Sequence, residues 1–366
     1  MSETQGTAKQ THASEQNAGA DFVAYLRERL PLVEAALASA NAAPLCAGSD
    51  APDADLNRYL YDPLAHFTAG GGKRVRPVLA LLGAEAVGGT AEQALSSGVA
   101  IELFQSAALI HDDIADASEL RRGEPCLYRT EGEGLAINAG DLALTRVFEV
   151  VLNDASLPAD RRLRVLEELV RMERHTLEGQ ALDLGWARDD RWDVTSDDYL
   201  YMIEGKTAWY TVASPLFIGA LAAGASDDAA RGLIELGRPA GLAFQLQDDL
   251  LNLVGDADAQ GKDFRSDITE GKRTLAVVWA LEHLAAEPRS ELVSLLEAKT
   301  TSPEALARAV ELIELGGGIS ACRDLARKLT DEAQAKAAEL ADSGVITPRA
   351  AQLLRSMADF FISRNA

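Results

Sequence analysis

The chain has 366 residues, of which 47% are hydrophobic and 25% are charged, so it contains ample material for a folded core. Its formal net charge of -22 at pH 7 argues against a nucleic-acid-binding protein, which would carry a basic face, and against general attraction to anionic lipid. A polyanionic ligand would therefore need a local basic site within an acidic protein.

The three cysteines, Cys46, Cys126 and Cys322, are odd in number and widely spaced, which argues against a disulfide framework or a cysteine metal site. The N-terminus has no basic region followed by an apolar run, so the sequence shows no secretory signal. No stretch reaches the roughly 18 uncharged apolar residues expected of a membrane span. We therefore expect a soluble cytoplasmic protein without an integral membrane segment.

The predicted elements begin after a polar segment, residues 1–20, which is expected to be a disordered tail. Residues 21–40 carry apolar side chains at helical spacing and predict an amphipathic helix. A second helix is predicted at 56–67 and ends before the glycines at 70–72. Further helices are predicted at 78–87, 91–114, 136–152, 159–187, 195–223, 227–254, 274–286, 290–298, 303–315, 319–342 and 347–363.

Strand signals are nearly absent, since the sequence has neither Asn-Gly hairpin turns nor alternating apolar runs. The helical segments differ in length and content, which argues against a helical repeat array. The predicted fold is therefore all-α, a single large bundle of long helices around a central cavity. No break in composition divides the chain, so one all-helical domain is expected over residues 21–366.

The first acidic cluster consists of Asp112, Asp113 and Asp116, directly after an apolar helical run that contains Glu102. Like charges beside a core repel one another unless a cation lies between them. Because Asp112 and Asp116 are four residues apart, their side chains face the same side of a helix and can converge on one ion. Oxygen ligands at this density suit Mg²⁺, which usually shares its coordination shell with substrate phosphates. Taken alone, the same pattern also fits a solvated helix end.

A second acidic cluster repeats this arrangement with Asp248, Asp249 and Asn252 at the polar end of another apolar helix. Two such clusters in one chain favour a metal site over a chance pattern. If the two helices pack with their acidic ends adjacent, several Mg²⁺ ions can bridge the carboxylates and a diphosphate.

Cations suited to a diphosphate occur in glycine-containing segments near these clusters. Residues 70–77 combine three glycines with three cations, but their spacing is not that of a nucleotide-binding phosphate loop. Guanidinium groups are suited to bidentate phosphate contacts. The basic residues of these segments are Lys73, Arg74, Arg76, Arg121, Arg122, Lys262, Lys272 and Arg273.

The combination of two aspartate clusters, Gly-Gly-Lys-Arg-x-Arg-Pro and Arg-Arg-Gly resembles the trans-type polyprenyl diphosphate synthases over residues 70–274. This resemblance implies a Mg²⁺-dependent head-to-tail prenyl transferase that elongates an allylic diphosphate with isopentenyl diphosphate. Two positions depart from the family pattern: Gln105 stands where many bacterial members carry His, and Asn252 replaces an Asp. Both substitutions keep a polar hydrogen-bonding group.

The resemblance also implies roles for individual residues. About three Mg²⁺ ions are expected, with ligands Asp112, Asp116, Asp183 and Asp248. Isopentenyl diphosphate is expected to bind Lys73, Arg76, Gln105 and Arg122, and the allylic diphosphate Arg121, Lys206, Thr207, Gln245, Lys262 and Lys272. Asp113 and Asp249 are near neighbours of the metal ligands, and Gln180 is expected to face the cavity. The backbone and hydroxyl around Lys206 and Thr207 are expected to stabilise the carbocation.

Product length depends on the side chains that line the path of the growing prenyl tail. Ala107 and Ala108, directly upstream of the first cluster, are too small to block it, whereas many farnesyl-making relatives carry bulky aromatics there. Phe104 lies about 5.4 Å deeper along the helix axis, roughly one isoprene unit. If Phe104 points into the tunnel, growth stops near geranylgeranyl length; the alternative is that Phe104 only packs between helices.

Two other functions share part of this sequence pattern. A class I terpene cyclase ionises the same kind of diphosphate, but it leaves the segment 70–77 without a role, and aromatic residues are only 5% of the chain. A non-catalytic regulatory subunit of a two-component synthase is expected to lack aspartates or cations that this chain retains. The leading interpretation is a prenyl transferase, which the resemblance predicts to be a homodimer.

Overall fold

The computed structural model describes residues 19–42, 52–255 and 264–364. Most of the predicted N-terminal tail and the predicted ligand Lys262 lie outside these residues. The described chain is helical almost throughout, which confirms the all-α prediction. In chain order its α-helices are α1 Ala20–Ala42, α2 Asp53–Leu56, α3 Asp62–Ala69, α4 Val75–Ala86, α5 Leu95–Ala115, α6 Leu127–Glu131, α7 Glu133–Leu152, α8 Ala159–Arg188, α9 Ser196–Ile203, α10 Ser214–Ala222, α11 Asp227–Val254, α12 Ser266–Glu270, α13 Leu275–His283, α14 Ala286–Glu297, α15 Pro303–Leu315, α16 Gly318–Asp342 and α17 Pro348–Ser363.

Three further helical segments are not α-helices. They are two π-helices, which we call π1 (Asn57–Tyr61) and π2 (Glu204–Ala213), and a 3-10 turn at Ala91–Ala94. The single helix predicted at 195–223 is therefore wrong in detail, because π2 separates α9 from α10. Pro215, the second residue of α10, has no N–H to donate and cannot continue a regular helical ladder.

A two-stranded hairpin is present despite the weak strand signals. Strands β1 (Leu120–Arg121) and β2 (Glu124–Pro125) pair antiparallel, with Arg121 opposite Glu124. The two residues between the strands, Arg122 and Gly123, have φ values of 55° and 84°. Two consecutive positive φ angles are typical of a type I′ hairpin turn, so the glycine of the Arg-Arg-Gly sequence has a backbone role.

The described chain divides into two compact units. Unit 1 consists of Met1–Ala24, Arg174–Ala213 and Ile234–Ala366, and unit 2 of Tyr25–Glu173 and Ser214–Leu233. Consequently α1, α8 and α11 each contribute residues to both units. The single domain expected over 21–366 stays a prediction.

In unit 2, α5 packs against α7, and α4 packs against α10. Small buried residues allow α5 and α7 to approach closely, among them Ala107, Ala136, Ala139 and Ala143. This packing fixes the helix that ends in the first aspartate cluster.

In unit 1, α16 packs against α17 and α13, and a continuous apolar core forms around them. Leu246 and Leu250 of α11 are buried in this core, on the helix that carries the second aspartate cluster. The cluster is therefore held by a helix with an anchored apolar face.

One helical stretch, Ala91–Ala115, is long and apolar enough to cross a membrane by length and composition. In the most apolar run of 18 residues within this stretch, 67% is buried inside the protein. Its burial is that of a core helix, and it ends at the first aspartate cluster.

Candidate active site

The second aspartate cluster lies at a cavity of about 220 Å³ in unit 1. Seven residues predicted from the sequence line it: Asp183, Lys206, Thr207, Gln245, Asp248, Asp249 and Lys272. Asn252 and Arg273 line it as well, together with Tyr199, Asp267 and Thr274, which the sequence did not single out. Gln180 is a partly buried residue of α8 and does not belong to this lining set.

Asp249 is the most deeply buried carboxyl group of the cluster, with 7% of its surface exposed. Its oxygens accept hydrogen bonds from the Tyr199 hydroxyl and, at 2.8 Å, from Nε2 of Gln245. Burial, together with the nearby carboxylate of Asp267, raises the pKa of Asp249 to about 8. Asp249 and Gln245 therefore support each other within the cavity wall.

Asp248 is more accessible than Asp249 and is paired with a residue near the C-terminus. Nη2 of Arg364 lies 2.8 Å from Oδ1 of Asp248, and the guanidinium also lies 4.2 Å from the centre of the Phe244 ring. Nothing in the local sequence predicted this pair, because the two residues are far apart along the chain.

Asp183 and Lys206 form a second ion pair at the cavity, with Nζ of Lys206 2.5 Å from Oδ2 of Asp183. Asp183 is on α8, whereas Lys206 and the buried Thr207 are in π2. A π-helix shifts the register of backbone carbonyls and side chains, and such segments are frequent at functional sites. The local backbone around Lys206 and Thr207 thus departs from an ordinary helix at the position where the resemblance implies stabilisation of the carbocation.

Asp267, at the start of α12, is the main acidic residue that the sequence reasoning missed. Burial raises the pKa of Asp267 to about 6, although the nearby ammonium group of Lys272 acts to lower it. Nζ of Lys272 lies 3.8 Å from Oδ1 of Asp267 and 2.6 Å from Oε2 of Glu270. A usable sequence signal was the position of Asp267 between the second cluster and the cations at 272 and 273.

Asn252, the departure from the family pattern in this cluster, has a structural explanation. Its Nδ2 donates to the Ser266 hydroxyl at 3.0 Å, and its Oδ1 accepts from the backbone N–H of Asp267 at 3.2 Å. An amide can do both at once because it carries a donor and an acceptor. Asn252 therefore fixes the beginning of α12, next to Asp267.

The first aspartate cluster lies at the C-terminal end of α5 in unit 2. Asp113 is buried and accepts from Nε of Arg121 at 2.9 Å, whereas Asp112 is partly buried and Asp116 is exposed. The backbone N–H of Asp116 donates to the carbonyl of Asp112 at 2.8 Å, so the last helical turn continues through Asp116. The expected i, i+4 relation of Asp112 and Asp116 is therefore present in the backbone.

A cavity of about 420 Å³ in unit 2 is lined by Arg121 and Arg122 of the hairpin and by Gly70 of the glycine triplet. Its other lining residues are His66, Phe67, Glu124, Pro125, Leu127 and Thr130. Lys73 is exposed, Arg76 and Gln105 are partly buried, and these three residues are not part of this lining. The structure thus associates Arg122 with the glycine triplet and leaves the remaining isopentenyl diphosphate ligands as predictions.

The residues assigned to product length all lie on α5. Phe104 and Ala107 are buried, and Ala108 is partly buried. Their burial agrees with either lining a tunnel or packing between helices.

The donors of both clusters fit Mg²⁺, which prefers oxygen ligands and keeps positions for water and substrate phosphates. Within residues 19–42, 52–255 and 264–364, no three His, Cys, Asp or Glu side chains already converge tightly enough to hold a metal ion.

Comparison with known proteins identifies the family. The sequence model described as polyprenyl synthetase matches residues 57–313. The chain is 38% identical over 302 residues to a short chain isoprenyl diphosphate synthase of Methanothermobacter thermautotrophicus. The matched region covers 82% of this chain and 89% of that protein. The chain belongs to the polyprenyl synthetase family. It is therefore a prenyltransferase, and the family uses Mg²⁺.

Solved structures of this family share the fold. A geranylgeranyl pyrophosphate synthetase from Pyrococcus horikoshii superposes with a TM-score of 0.82 at 31% identity, covering 94% of this chain and 99% of that one. A geranylgeranyl pyrophosphate synthase from Corynebacterium glutamicum, complexed with isoprenyl diphosphate and magnesium, has a TM-score of 0.77 at 29% identity and covers 95% and 98%. The fold expected from the resemblance is thus the fold of polyprenyl synthetases.

Proposed function

We propose that this polyprenyl synthetase catalyses the Mg²⁺-dependent head-to-tail condensation of isopentenyl diphosphate with an allylic diphosphate, with geranylgeranyl diphosphate as its main product. Related enzymes make (E)-polyprenyl diphosphates of C15–C25 length. The observation that carries the proposal is the unit 1 cavity, where predicted metal ligands, cations and the π-helical segment come together.

In the proposed reaction, the allylic diphosphate binds Arg121, Lys206, Gln245 and Lys272. Isopentenyl diphosphate binds Lys73, Arg76, Gln105 and Arg122 of unit 2. The proposed ligands for Mg²⁺ are Asp112, Asp116, Asp183 and Asp248, with about three ions in all.

When bound, Mg²⁺ supplies electrostatic stabilisation of the negative charge that develops on the leaving diphosphate. Lys206 and Lys272 add fixed positive charge to the same group as the allylic C–O bond breaks. The double bond of isopentenyl diphosphate then attacks the allylic carbocation, and a C–H proton of the resulting cation is lost to the released diphosphate. Lys206 must exchange its partner Asp183 for the diphosphate, which leaves that carboxylate available as an oxygen ligand.

The carbocation needs nearby dipoles with their negative ends toward it. Thr207 is buried, borders the cavity and belongs to π2, whose backbone departs from the α-helical register. We assign the Thr207 hydroxyl and the adjacent backbone carbonyls of π2 to this role, because they are fixed before the reaction starts.

The product length follows from α5. Ala107 and Ala108 leave room beside the first aspartate cluster, and Phe104 is the first large side chain one turn deeper. The proposal is that Phe104 ends the space for the tail at geranylgeranyl length. The geranylgeranyl synthases among the structural relatives support this length.

A homodimer in the cytoplasm is part of the proposal. Helix α8 exposes Leu163, Val170, Leu177 and Leu184, which repeat every seven residues along one side of the helix. A second copy of the chain would bury this row, since a heptad row of exposed apolar side chains is typical of a helix-pairing surface.

Incubation with labelled isopentenyl diphosphate and separate allylic primers, followed by product sizing, tests the reaction. A linear prenyl diphosphate is expected with Mg²⁺ and none with EDTA. A cyclic hydrocarbon formed without isopentenyl diphosphate would identify a terpene cyclase. Activity that appears only on adding another subunit would identify a regulatory chain.

The double variant Asp112→Ala with Asp116→Ala tests the metal ligands. Turnover should fall by several orders of magnitude, because the leaving diphosphate loses its metal ligands, while the helical circular dichroism spectrum stays the same. Full activity of a folded double variant would exclude this metal assignment.

A further inference from the structure

Arg74 lies in the middle of the basic segment 70–77, but the structure separates it from its neighbours. Its side chain is fully buried, whereas Lys73 is exposed and Arg76 is partly buried. A diphosphate reaching the exposed side of this segment therefore meets Lys73 before it meets Arg74. This burial calls for a role other than direct contact with substrate.

All three guanidinium nitrogens of Arg74 donate hydrogen bonds within the protein. Nε donates to Oε1 of Glu34 at 2.8 Å, and Nη1 donates to Oε1 of Glu102 at 2.6 Å. Nη2 donates to the backbone carbonyl of Thr68 at 2.6 Å. Burial disfavours the charged guanidinium, but the two carboxylates outweigh it and raise the pKa of Arg74 above its ordinary value. Arg74 therefore remains charged and its donors are occupied.

These three partners belong to three different helices. Glu34 is on α1, Thr68 is on α3, and Glu102 is on α5, three residues before the predicted substrate ligand Gln105. Arg74 itself precedes α4 and has φ 46° and ψ 39°, a left-handed conformation that is uncommon for a residue with a side chain. The backbone accepts this conformation at the point where the side chain is fixed on three sides.

The hydrogen bonds around Arg74 extend through Thr68 to Asn41 and Arg146. The Thr68 hydroxyl accepts from Nδ2 of Asn41 at 2.6 Å and donates to the Leu64 carbonyl at 3.0 Å. Oδ1 of Asn41 accepts from Nη1 of the buried Arg146 at 3.2 Å. Several buried polar groups thus brace α3, the helix that leads into the glycine triplet.

Arg122, a predicted ligand of isopentenyl diphosphate, is adjacent to the same segment. A Cβ added to Gly72 would lie 3.5 Å from Nη2 of Arg122 and 3.9 Å from Nη1 of Arg74. Burial lowers the pKa of Arg122, and the positive charge of Arg74 lowers it further. Glu34 and Glu102 thus also neutralise a charge that would otherwise repel Arg122.

We propose that Arg74, held by Glu34 and Glu102, is a positioning residue that sets Lys73, Arg76 and Arg122 for the diphosphate of isopentenyl diphosphate. The proposal rests on the isopentenyl diphosphate site given above. It assigns to the second basic residue of Gly-Gly-Lys-Arg-x-Arg-Pro a role different from those of the first and third.

Steady-state kinetics of the full-length enzyme, with each substrate varied separately, test this role. Arg74→Lys keeps the charge but cannot donate in three directions at once. The KM for isopentenyl diphosphate should rise about tenfold in this variant, with the KM for the allylic substrate unchanged. Arg58→Gln, which removes an exposed arginine paired with Glu131 in the same unit, should leave both KM values unchanged.

Glu102→Gln gives the sharper test because the two explanations predict opposite signs. If Arg74 contacts the diphosphate, removal of a nearby negative charge should lower the KM for isopentenyl diphosphate. If Arg74 positions the segment, the KM should rise as it does in Arg74→Lys. The half-exposed Glu34→Gln is the milder variant in case Glu102→Gln does not fold, and its KM should rise about threefold.

The double variant Arg74→Gln with Glu102→Gln replaces a buried ion pair with a neutral pair. Positioning predicts that its KM for isopentenyl diphosphate equals that of the worse single variant, because both changes break one interaction. The proposal would be overturned if the increases in this KM caused by the two single changes added up in the double variant. It would also be overturned if folded Arg74→Lys and Glu34→Gln both had a KM within twofold of wild type. Lys73→Gln distinguishes failure of the positioning role from failure of the proposed isopentenyl diphosphate site. If this variant too leaves the KM for isopentenyl diphosphate unchanged, the proposed site itself is wrong.

Discussion

Gly179→Ala should impair catalysis through π2 without changing any ligand of the active site. Gly179 lies on α8, one turn before Asp183, and faces the beginning of π2. A Cβ at this position would lie 2.3 Å from the backbone nitrogen of Lys206 and 2.7 Å from the carbonyl oxygen of Met202. Both contacts are to backbone, so no side-chain rotation can relieve them.

The size of the effect follows from these distances. Ordinary contact of a Cβ needs roughly 3.4 Å, so π2 and α8 must separate locally by about 1 Å. Overpacking of this kind costs about 1–3 kcal/mol of stability. A displacement of about 1 Å at reacting groups costs on the order of a hundredfold in rate. We therefore expect kcat to fall by about a hundredfold, with a smaller change in the KM for isopentenyl diphosphate.

Gly185→Ala is the matched control on the same helix. A Cβ at Gly185 would have no neighbour within 4 Å, so alanine should stabilise α8 by about 1 kcal/mol and leave kcat unchanged. Thermal unfolding of both variants, measured beside kcat and both KM values, separates loss of fold from loss of alignment. A folded Gly179→Ala enzyme with kcat within twofold of wild type would refute the claim that close contact of α8 and π2 sets the site.

Three further changes test other features. Burial raises the pKa of Glu173 to about 7, above its unfolded value, so the wild-type protein loses stability as the pH rises from about 4.5 to 7. In urea unfolding, the free energy of unfolding of Glu173→Gln relative to wild type should therefore increase by about 2–3 kcal/mol between pH 5 and pH 8. The same difference between variant and wild type at both pH values would contradict this. Arg265, with φ 62°, precedes α12, and Arg265→Gly should raise the melting temperature through relief on the order of 1 kcal/mol; a lower melting temperature would show that its side chain matters more. Phe104→Ala should lengthen the product as sized by chromatography, at a cost of about 3 kcal/mol in stability, and an unchanged product would leave Phe104 a packing residue only.

The helices and the two aspartate clusters could be predicted because their signals are local. Apolar spacing places the long helices, and α11 has the strong periodicity that a half-buried helix produces. Asp248 and Asp249 were recognisable because they follow such a run directly. Position along the chain was sufficient for these features.

Features that depend on distant partners could not be predicted. The pair between Asp248 and Arg364, and the three-way fixation of Arg74, join segments that no local pattern connects. The sequence predicts ordinary helix across π2, since the composition of this segment differs little from that of its neighbours. Residue type alone does not distinguish Asp267, because acidic residues are common in a chain with net charge -22.

The ion pairs suggest how an acidic protein would bind the two diphosphates proposed above. Arg121 pairs with Asp113, Lys206 with Asp183, and Lys272 with Glu270. A diphosphate must displace these carboxylates from the cations, so the cations alone contribute little net binding free energy. The carboxylates of Asp113 and Asp183 released in that exchange are hard oxygen groups of the kind that Mg²⁺ binds. Diphosphate and Mg²⁺ should therefore bind cooperatively, since each takes the partner that the other releases.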